Sequence, residues 1–102
     1  MKIVLGTANF SSTYGIDHKK IKEKELHKII SYCKRNKIHY LDTATAYKNY
    51  NLLSKLNISK FKIITKLKNL SKIKKNNIEE EVINYIESLL EILKIKQIYG
   101  LL

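Results

Sequence analysis

The chain has 102 residues, of which 44% are apolar, and a formal net charge of +11. This length allows one small domain, and the apolar fraction excludes a disordered chain. No apolar run is long enough to cross a membrane, and the opening "MKIVLGTANF" lacks the features of a secretory signal. The one cysteine forms no internal disulfide, so we expect a cytoplasmic protein.

The positive charge is only a weak indication of nucleic-acid binding. Nineteen of the twenty basic residues are lysine, which leaves Arg35 alone for bidentate contacts with phosphate or guanine. The lysines are spread along the chain, and lysine, isoleucine and asparagine together are what AT-rich codons supply. We therefore favour a solvated lysine-rich surface over a nucleic-acid site, even for the densest stretch, residues 60–75.

Four short apolar runs are predicted to form β-strands. In chain order they are "KIVLG" (2–6), "IHYLD" (38–42), "FKIIT" (61–65) and "QIYGLL" (97–102). Their apolar residues alternate little with polar ones, which is typical of strands covered on both faces by helices or by a barrel interior.

Helical patterns fill the gaps between these runs. The first covers about 23–36, and Asn36 is expected to end it in the left-handed conformation. A shorter helix is expected over 48–56. Asn77 can cap the third, and residues 79–81 place three glutamates in its first turn, where the macrodipole favours negative charge. The predicted buried stripes are Leu26, Ile29, Ile30 and Cys33 in the first helix, and Val82, Ile86, Leu89, Leu90 and Leu93 in the third.

The alternation of strands and helices predicts an α/β fold with parallel strands joined by right-handed crossovers. The pattern alone does not separate an open sheet from part of a barrel. Active sites of such folds gather at the carboxyl ends of the strands. Asp42 ends the second run, Tyr47 lies just beyond it, and Lys66 follows the third run. We therefore expect these three side chains to converge, together with the turn after the first strand.

These residue types together suggest proton transfer to a carbonyl. An ammonium beside a phenol favours the phenolate and lowers the tyrosine pKa from about 10. Tyr47 could then act as a general acid, with Asp42 fixing Lys66 and a nicotinamide cofactor supplying hydride. Each residue alone has an ordinary explanation: a cap, a packing tyrosine, one lysine among nineteen. Only their shared position favours the catalytic hypothesis.

The segments "LGTANF…YGI", "YLDTATAY" and "IITKL" resemble the N-terminal half of an aldo-keto reductase, and the resemblance covers essentially the whole chain. That family folds as a (β/α)8 TIM barrel and reduces carbonyls with NADPH through a tetrad of Asp, Tyr, Lys and His. The resemblance implies that Asp42, Tyr47 and Lys66 are three of the four catalytic residues. The cofactor-binding residues that it implies are Gly6, Thr7, Ala8 and Asp42.

The chain also departs from the family. The tetrad histidine follows a segment like "IYGLL" and one more residue, whereas this sequence ends at Leu102, and His18, His27 and His39 lie elsewhere. The half that binds the adenosine phosphate is missing, and "KNYN" follows Tyr47 where the family often has a glycine and an acidic stretch. We expect a truncated domain with about four strands and three helices.

A half-barrel is expected to have little reductase activity by itself. Lowering a phenol pKa from about 10 to about 7 takes roughly 4 kcal/mol, and an exposed ion pair contributes about 0–1 kcal/mol. Three hypotheses remain: a fragment, a half-barrel completed by a C-terminal half or a second copy, and a non-catalytic lysine-rich module for nucleic acid or acidic partners. No metal site is expected, because the histidines and Cys33 lack ligand spacing and Cys33 lies on an apolar stripe.

Overall fold

The computed structural model describes residues 2–11 and 21–102. Within them, one sheet has the strand order β1-β2-β3-β4, and every neighbouring pair is parallel. The strands are β1 (Val4–Gly6), β2 (Tyr40–Asp42), β3 (Lys62–Thr65) and β4 (Gly100–Leu101). The helices between them are α1 (Glu23–Arg35), α2 (Tyr50–Ser54) and α3 (Ile78–Leu93). The predicted α/β class and the order of its elements are confirmed.

Each strand is shorter than the run that predicted it. The backbone pairing nevertheless continues past the strand ends, since the Lys62 N–H donates to the His39 carbonyl at 2.7 Å and the Leu102 N–H donates to Thr65 at 2.9 Å. Parallel ladders stop where neighbouring strands cease to overlap, so the ends of the runs are extended but only partly paired. His39 therefore precedes β2, which corrects its predicted place inside that strand. The "YGI" segment and His18 lie outside the described residues.

Side chains alternate between the two faces of this sheet. Leu41 and Ile63 are fully buried against the helices, in a core that includes Leu26, Ile30, Cys33, Leu53, Leu89 and Leu93. The opposite face, called the open face below, carries Val4, Tyr40 and Lys62 in one row and Gly6, Asp42, Ile64 and Gly100 in the next. Across residues 2–11 and 21–102, no helix has the length and apolarity needed to cross a membrane.

The end of α1 differs from the predicted left-handed asparagine. Asn36 has φ −99°, and the left-handed residue is Lys37, with φ 57°. The Asn36 side chain donates to the Tyr32 carbonyl at 2.8 Å, and its own N–H donates to the same oxygen at 3.0 Å. Asn36 therefore caps the last turn with a negative φ, and the chain reverses one residue later, at Lys37.

The start of α3 also differs from its prediction. Asn77 occupies the cap position, but its side chain makes no capping hydrogen bond. A 3₁₀ turn over Lys75–Asn77 runs directly into the helix, so Asn77 has φ −104° and ψ −3°. A side-chain cap requires an extended backbone at that position, and the prediction was therefore wrong. The glutamates of the first turn are confirmed.

Lys94, the residue that follows α3, has a strained backbone conformation, and this strain allows a prediction about stability. Lys94 has φ 55° and ψ 44°, a conformation that costs a residue with a Cβ about 1 kcal/mol. We expect Lys94→Gly to raise the free energy of unfolding by about 0.5–1 kcal/mol in urea denaturation. Lys96→Gly, at an exposed position without positive φ, is the control and should not stabilise the chain. Equal effects of the two substitutions would show that Lys94 stores no strain.

Candidate active site

The carboxyl ends of β2 and β3 bring a carboxylate and an ammonium group together. The parallel register pairs Asp42 with Ile64, and Lys66 lies two residues further along the same face. The Lys66 Nζ contacts Asp42 Oδ1 at 2.5 Å, and the two side chains are 37% and 26% exposed. The predicted convergence of these residues is confirmed, in an ion pair that is open to solvent on one side.

Tyr47 completes this cluster from the connection after β2. It ends a 3₁₀ turn over Thr45–Tyr47, and the Lys66 Nζ lies 5.6 Å from the centroid of its ring. The backbone of Tyr47 is held at both polar atoms: its N–H donates to Ala44 at 3.1 Å, and its carbonyl accepts from Ser11 Oγ at 2.6 Å. The three predicted catalytic residues therefore form one group, in which Lys66 contacts both others.

The charge of Lys66 is maintained by its neighbours. Partial burial lowers its pKa, but the hydrogen bond and the negative charge of Asp42 outweigh that effect, with a smaller contribution from Tyr47. The net pKa of Lys66 is raised above its ordinary 10.5. Since a lysine with a raised pKa keeps its proton throughout the neutral range, a permanent cation lies beside the Tyr47 ring.

The turn after β1 borders the ion pair. Gly6 pairs with Asp42 in the sheet, is exposed, and has nothing within 4 Å of the position where a Cβ would lie. Ala8 follows at the start of a short 3₁₀ turn. Thr7 is fully buried, and both its N–H and its Oγ1 donate to the Asp42 carbonyl at 3.0 Å. Gly6 thus leaves open space beside Asp42, while the Thr7 side chain holds the Asp42 backbone.

Asn49 is a positioning residue that the sequence did not reveal. Its side chain is 1% exposed; Nδ2 donates to the Thr7 carbonyl at 2.8 Å and to Thr7 Oγ1 at 3.1 Å, and Oδ1 accepts from Thr43 Oγ1 at 3.1 Å. One amide therefore joins the turns that follow β1 and β2. An asparagine just before a helix normally suggests a cap, but Asn49 makes no capping bond. No local signal in the sequence distinguishes these two roles.

A cluster of hydroxyl groups holds the backbone of Lys66. The Tyr85 hydroxyl, from α3, donates to the Lys66 carbonyl at 2.8 Å and accepts from Thr45 Oγ1 at 3.0 Å. The Tyr50 hydroxyl lies 3.0 Å from the Tyr85 hydroxyl and 3.0 Å from Thr65 Oγ1. Burial raises the pKa of Tyr50 to about 12. The cluster ties α2 and α3 to the end of β3, which fixes where the Lys66 side chain begins.

The raised pKa of Tyr50 predicts an alkaline loss of stability. The folded chain keeps the Tyr50 proton up to about 12, whereas the unfolded chain releases it near 10. The stabilising contribution is therefore complete below pH 10 and declines between pH 10 and about 12. Urea denaturation across this window should show that the free energy of unfolding falls more steeply with pH for the wild type than for Tyr50→Phe. The variant has no phenol proton to release at this position. If the free energy of unfolding fell equally with pH in both proteins, the raised pKa of Tyr50 would be contradicted.

Other candidate groups do not join this site. His27 lies on the exposed side of α1, 3.8 Å from Glu23, and His39 lies at the amino end of β2, opposite Asp42. Cys33 is buried, as predicted, and burial raises the pKa of its thiol, which keeps it protonated. The described ranges contain no cluster of three or more histidine, cysteine or acidic residues that could hold a metal.

Comparisons with known proteins show the family and the fold of the chain. The model of the Aldo/keto reductase family matches residues 2–100. Two solved structures of a "putative aldo-keto reductase" from Pseudomonas aeruginosa match with TM-scores of 0.75 and 0.72, each at 20% identity. Both alignments cover 97% of this chain, but only 40% and 39% of the other chains. A search of curated proteins gives no match.

At 20% identity the structural likeness shows the fold alone. The four parallel strands and three helices correspond to the N-terminal part of a TIM barrel, and the chain spans about two-fifths of the length of these relatives. The predicted fold class and resemblance are thereby confirmed. Since the family model covers nearly every residue, the chain belongs to the aldo/keto reductase family.

Proposed function

We propose that this chain supplies three residues of a site that reduces an aldehyde or ketone to an alcohol, with Tyr47 as the proton donor. The observation that supports it most is the Lys66 ammonium, held at 2.5 Å by Asp42 and 5.6 Å from the Tyr47 ring centroid. The substrate class is a small carbonyl compound.

The three side chains have separate tasks in this proposal. Tyr47 donates its hydroxyl proton to the carbonyl oxygen and becomes a phenolate. The Lys66 ammonium stabilises that phenolate, and its raised pKa ensures that the cation is present at neutral pH. Asp42 keeps Lys66 in position through the ion pair, and Tyr85 and Thr7 hold the backbones of these two residues.

We propose that a flat nicotinamide ring binds on the surface beside this group. Gly6 is exposed and leaves open space above the β1 end, and Asp42 and Lys66 each present part of their side chains to that space. NADPH, when bound there, supplies the hydride for the carbonyl carbon. Gly6, Ala8 and Asp42 would border the ring, and Thr7 would shape the turn from its buried position.

The proposal assigns the activity to a completed barrel. Lowering the pKa of a phenol from about 10 to about 7 takes roughly 4 kcal/mol of differential stabilisation, and an ion pair as exposed as Lys66–Asp42 contributes about 0–1 kcal/mol. Closing the sheet would exclude water and strengthen each of these interactions. We therefore expect the chain to work with a C-terminal half that supplies the remaining strands, in the cytoplasm, where its single buried thiol suits reducing conditions.

The test is NADPH oxidation in the presence of a small aldehyde. The assay compares this chain, its cognate C-terminal half and an equimolar mixture of the two. We expect turnover in the mixture and almost none in either component. Turnover by this chain alone, at the rate of the mixture, would show that the barrel need not be completed. A folded one-to-one complex without turnover would show that the proposed reaction is wrong.

A further inference from the structure

A hydrogen bond from a distant segment holds the turn that carries Tyr47. The Ser11 Oγ donates to the Tyr47 carbonyl at 2.6 Å, and the two residues are 36 positions apart in the sequence. The N–H groups of Tyr47 and Lys48 instead donate within the turn itself, to Ala44 at 3.1 Å and to Thr45 at 3.0 Å. The Ser11 hydroxyl therefore ties this turn to the segment that follows β1.

The end of the turn is strained and exposed. Lys48 has φ 52° and ψ 32°, a left-handed conformation that is unfavourable for a residue with a Cβ. The residues on either side of Tyr47 are exposed, so their side chains add little packing. The start of the turn is held from α3, because Thr45 Oγ1 donates to the Tyr85 hydroxyl at 3.0 Å. The Tyr47–Lys48 peptide at its end is held by the Ser11 hydroxyl.

The position of Ser11 is fixed by its own neighbours. Ser11 follows the 3₁₀ turn Ala8–Phe10 and has an extended backbone, with φ −98° and ψ 143°. Phe10 is 4% exposed within the core, and its N–H donates to the Thr7 carbonyl at 3.0 Å. Because a buried aromatic ring precedes it, Ser11 presents its hydroxyl to the turn of Tyr47 from an anchored segment.

The segment that leads to Ser11 also borders the surface proposed for the cofactor. Gly6 and Ala8 lie in it, and Gly6 pairs with Asp42 at the end of β2. Reduction of a carbonyl needs a hydride at the carbon and a proton at the oxygen, so the two donors must keep a fixed separation. A hydrogen bond between the segment beside the cofactor and the turn of the proton donor meets this requirement.

We propose that Ser11 is a positioning residue, whose hydroxyl holds the Tyr47 backbone at a fixed place relative to the segment that borders the cofactor. Ser11 acts through Tyr47 and not on the reacting atoms. The restraint on Tyr47 is measurable in the chain alone, whereas its effect on the reaction rests on the proposed function. The restraint and the effect are therefore tested separately.

Amide hydrogen exchange, followed by nuclear magnetic resonance, tests the restraint in the chain alone. The net contribution of one hydrogen bond changes a local opening equilibrium by about 2–10-fold, and amide exchange in the native state reports that equilibrium. Ser11→Ala should therefore speed exchange of the Tyr47 and Lys48 amide protons by ~2–10-fold. The Thr43 amide, which donates to the Ile64 carbonyl at 2.9 Å, is the internal control and should exchange at the wild-type rate.

Two further variants separate the hydrogen bond from general destabilisation. Ser11→Thr keeps a hydroxyl on an extended backbone that suits threonine, so it should restore wild-type exchange. Ser54→Ala removes a hydroxyl that donates to the Asn51 carbonyl at 2.7 Å in α2, and it should leave exchange in the turn unchanged. Unchanged exchange in Ser11→Ala would overturn the proposal. So would an equal acceleration at Thr43, because the substitution would then loosen the whole sheet.

The completed barrel tests the effect on the reaction. Ser11→Ala should lower kcat for aldehyde reduction by ~3–10-fold and leave KM for NADPH and aldehyde unchanged, because it misplaces the proton donor and not the ligands. Ser11→Thr and Ser54→Ala should retain the wild-type kcat. An unchanged kcat in Ser11→Ala, despite faster exchange, would overturn the positioning role. A wild-type barrel without turnover would contradict the proposed function, and the exchange rates would then decide by themselves whether Ser11 holds Tyr47.

Discussion

Replacing Tyr47 by phenylalanine in the completed barrel is expected to lower kcat for aldehyde reduction by about 10²–10⁴-fold, the usual contribution of a positioned general acid. The substitution removes the proton donor but keeps the ring, which lies 5.6 Å from Lys66 Nζ. Binding of NADPH and of the substrate should change little, because the phenyl ring preserves the shape of the site. The loss should therefore appear in kcat, measured as NADPH oxidation at saturating aldehyde.

The matched control is Tyr32→Phe, which removes a hydroxyl from a tyrosine that is 57% exposed on α1. Its kcat should equal that of the wild type. If Tyr47→Phe retained wild-type kcat, another group would have to donate the proton, and the assignment of Tyr47 would be wrong. The unfolding midpoint of each variant distinguishes lost chemistry from lost structure.

Replacing Asn49 by alanine is expected to lower the free energy of unfolding by about 2–4 kcal/mol. The substitution removes three hydrogen bonds and leaves the buried Thr43 hydroxyl without its partner, whereas the Thr7 carbonyl keeps the hydrogen bond from the Phe10 N–H. Each buried polar group left unsatisfied costs about 1–3 kcal/mol, and the space vacated by the amide adds to this loss. The expected effect is large because one buried side chain forms hydrogen bonds with both turns.

Urea denaturation of the chain measures this effect directly. Asn51→Ala is the control, since Asn51 is exposed on α2 and its side chain makes no hydrogen bond to a buried group among the described residues. The control should change the free energy of unfolding by less than about 0.5 kcal/mol. An Asn49→Ala variant as stable as Asn51→Ala would mean that the amide does not hold the two turns together.

The position of the proposed catalytic group was predictable because it depends on the order of the strands and on the alternation of side chains between the two faces of the sheet. Asp42 ends one strand and Lys66 follows the next, so parallel pairing places both at the same edge, whatever the intervening residues are. The same reasoning could not find Asn49 or Tyr85. Their partners are 42 and 19 residues away in sequence, and such contacts depend on how the turns and helices dock.

The ends of elements were less predictable for a local reason. Asn36 can adopt the left-handed conformation, but its side chain bonds the Tyr32 carbonyl instead, and this local competition shifts the reversal to Lys37. Lys62 was included in an apolar run, and the run did not reveal on which face the charge lies. Only the register with Tyr40 places it on the open face.

The proposed function depends most directly on Lys66 as the cation that stabilises the Tyr47 phenolate. The deciding measurement is the rate of NADPH-dependent aldehyde reduction by the completed barrel carrying Lys66→Met, compared with Lys68→Met. Lys68 lies two residues away and forms an exposed ion pair with Glu81 at 3.3 Å, so it provides the same change of charge outside the site. We predict that Lys66→Met lowers the rate by at least ~100-fold and that Lys68→Met leaves it unchanged. Equal rates for the two variants would contradict the role proposed for Lys66.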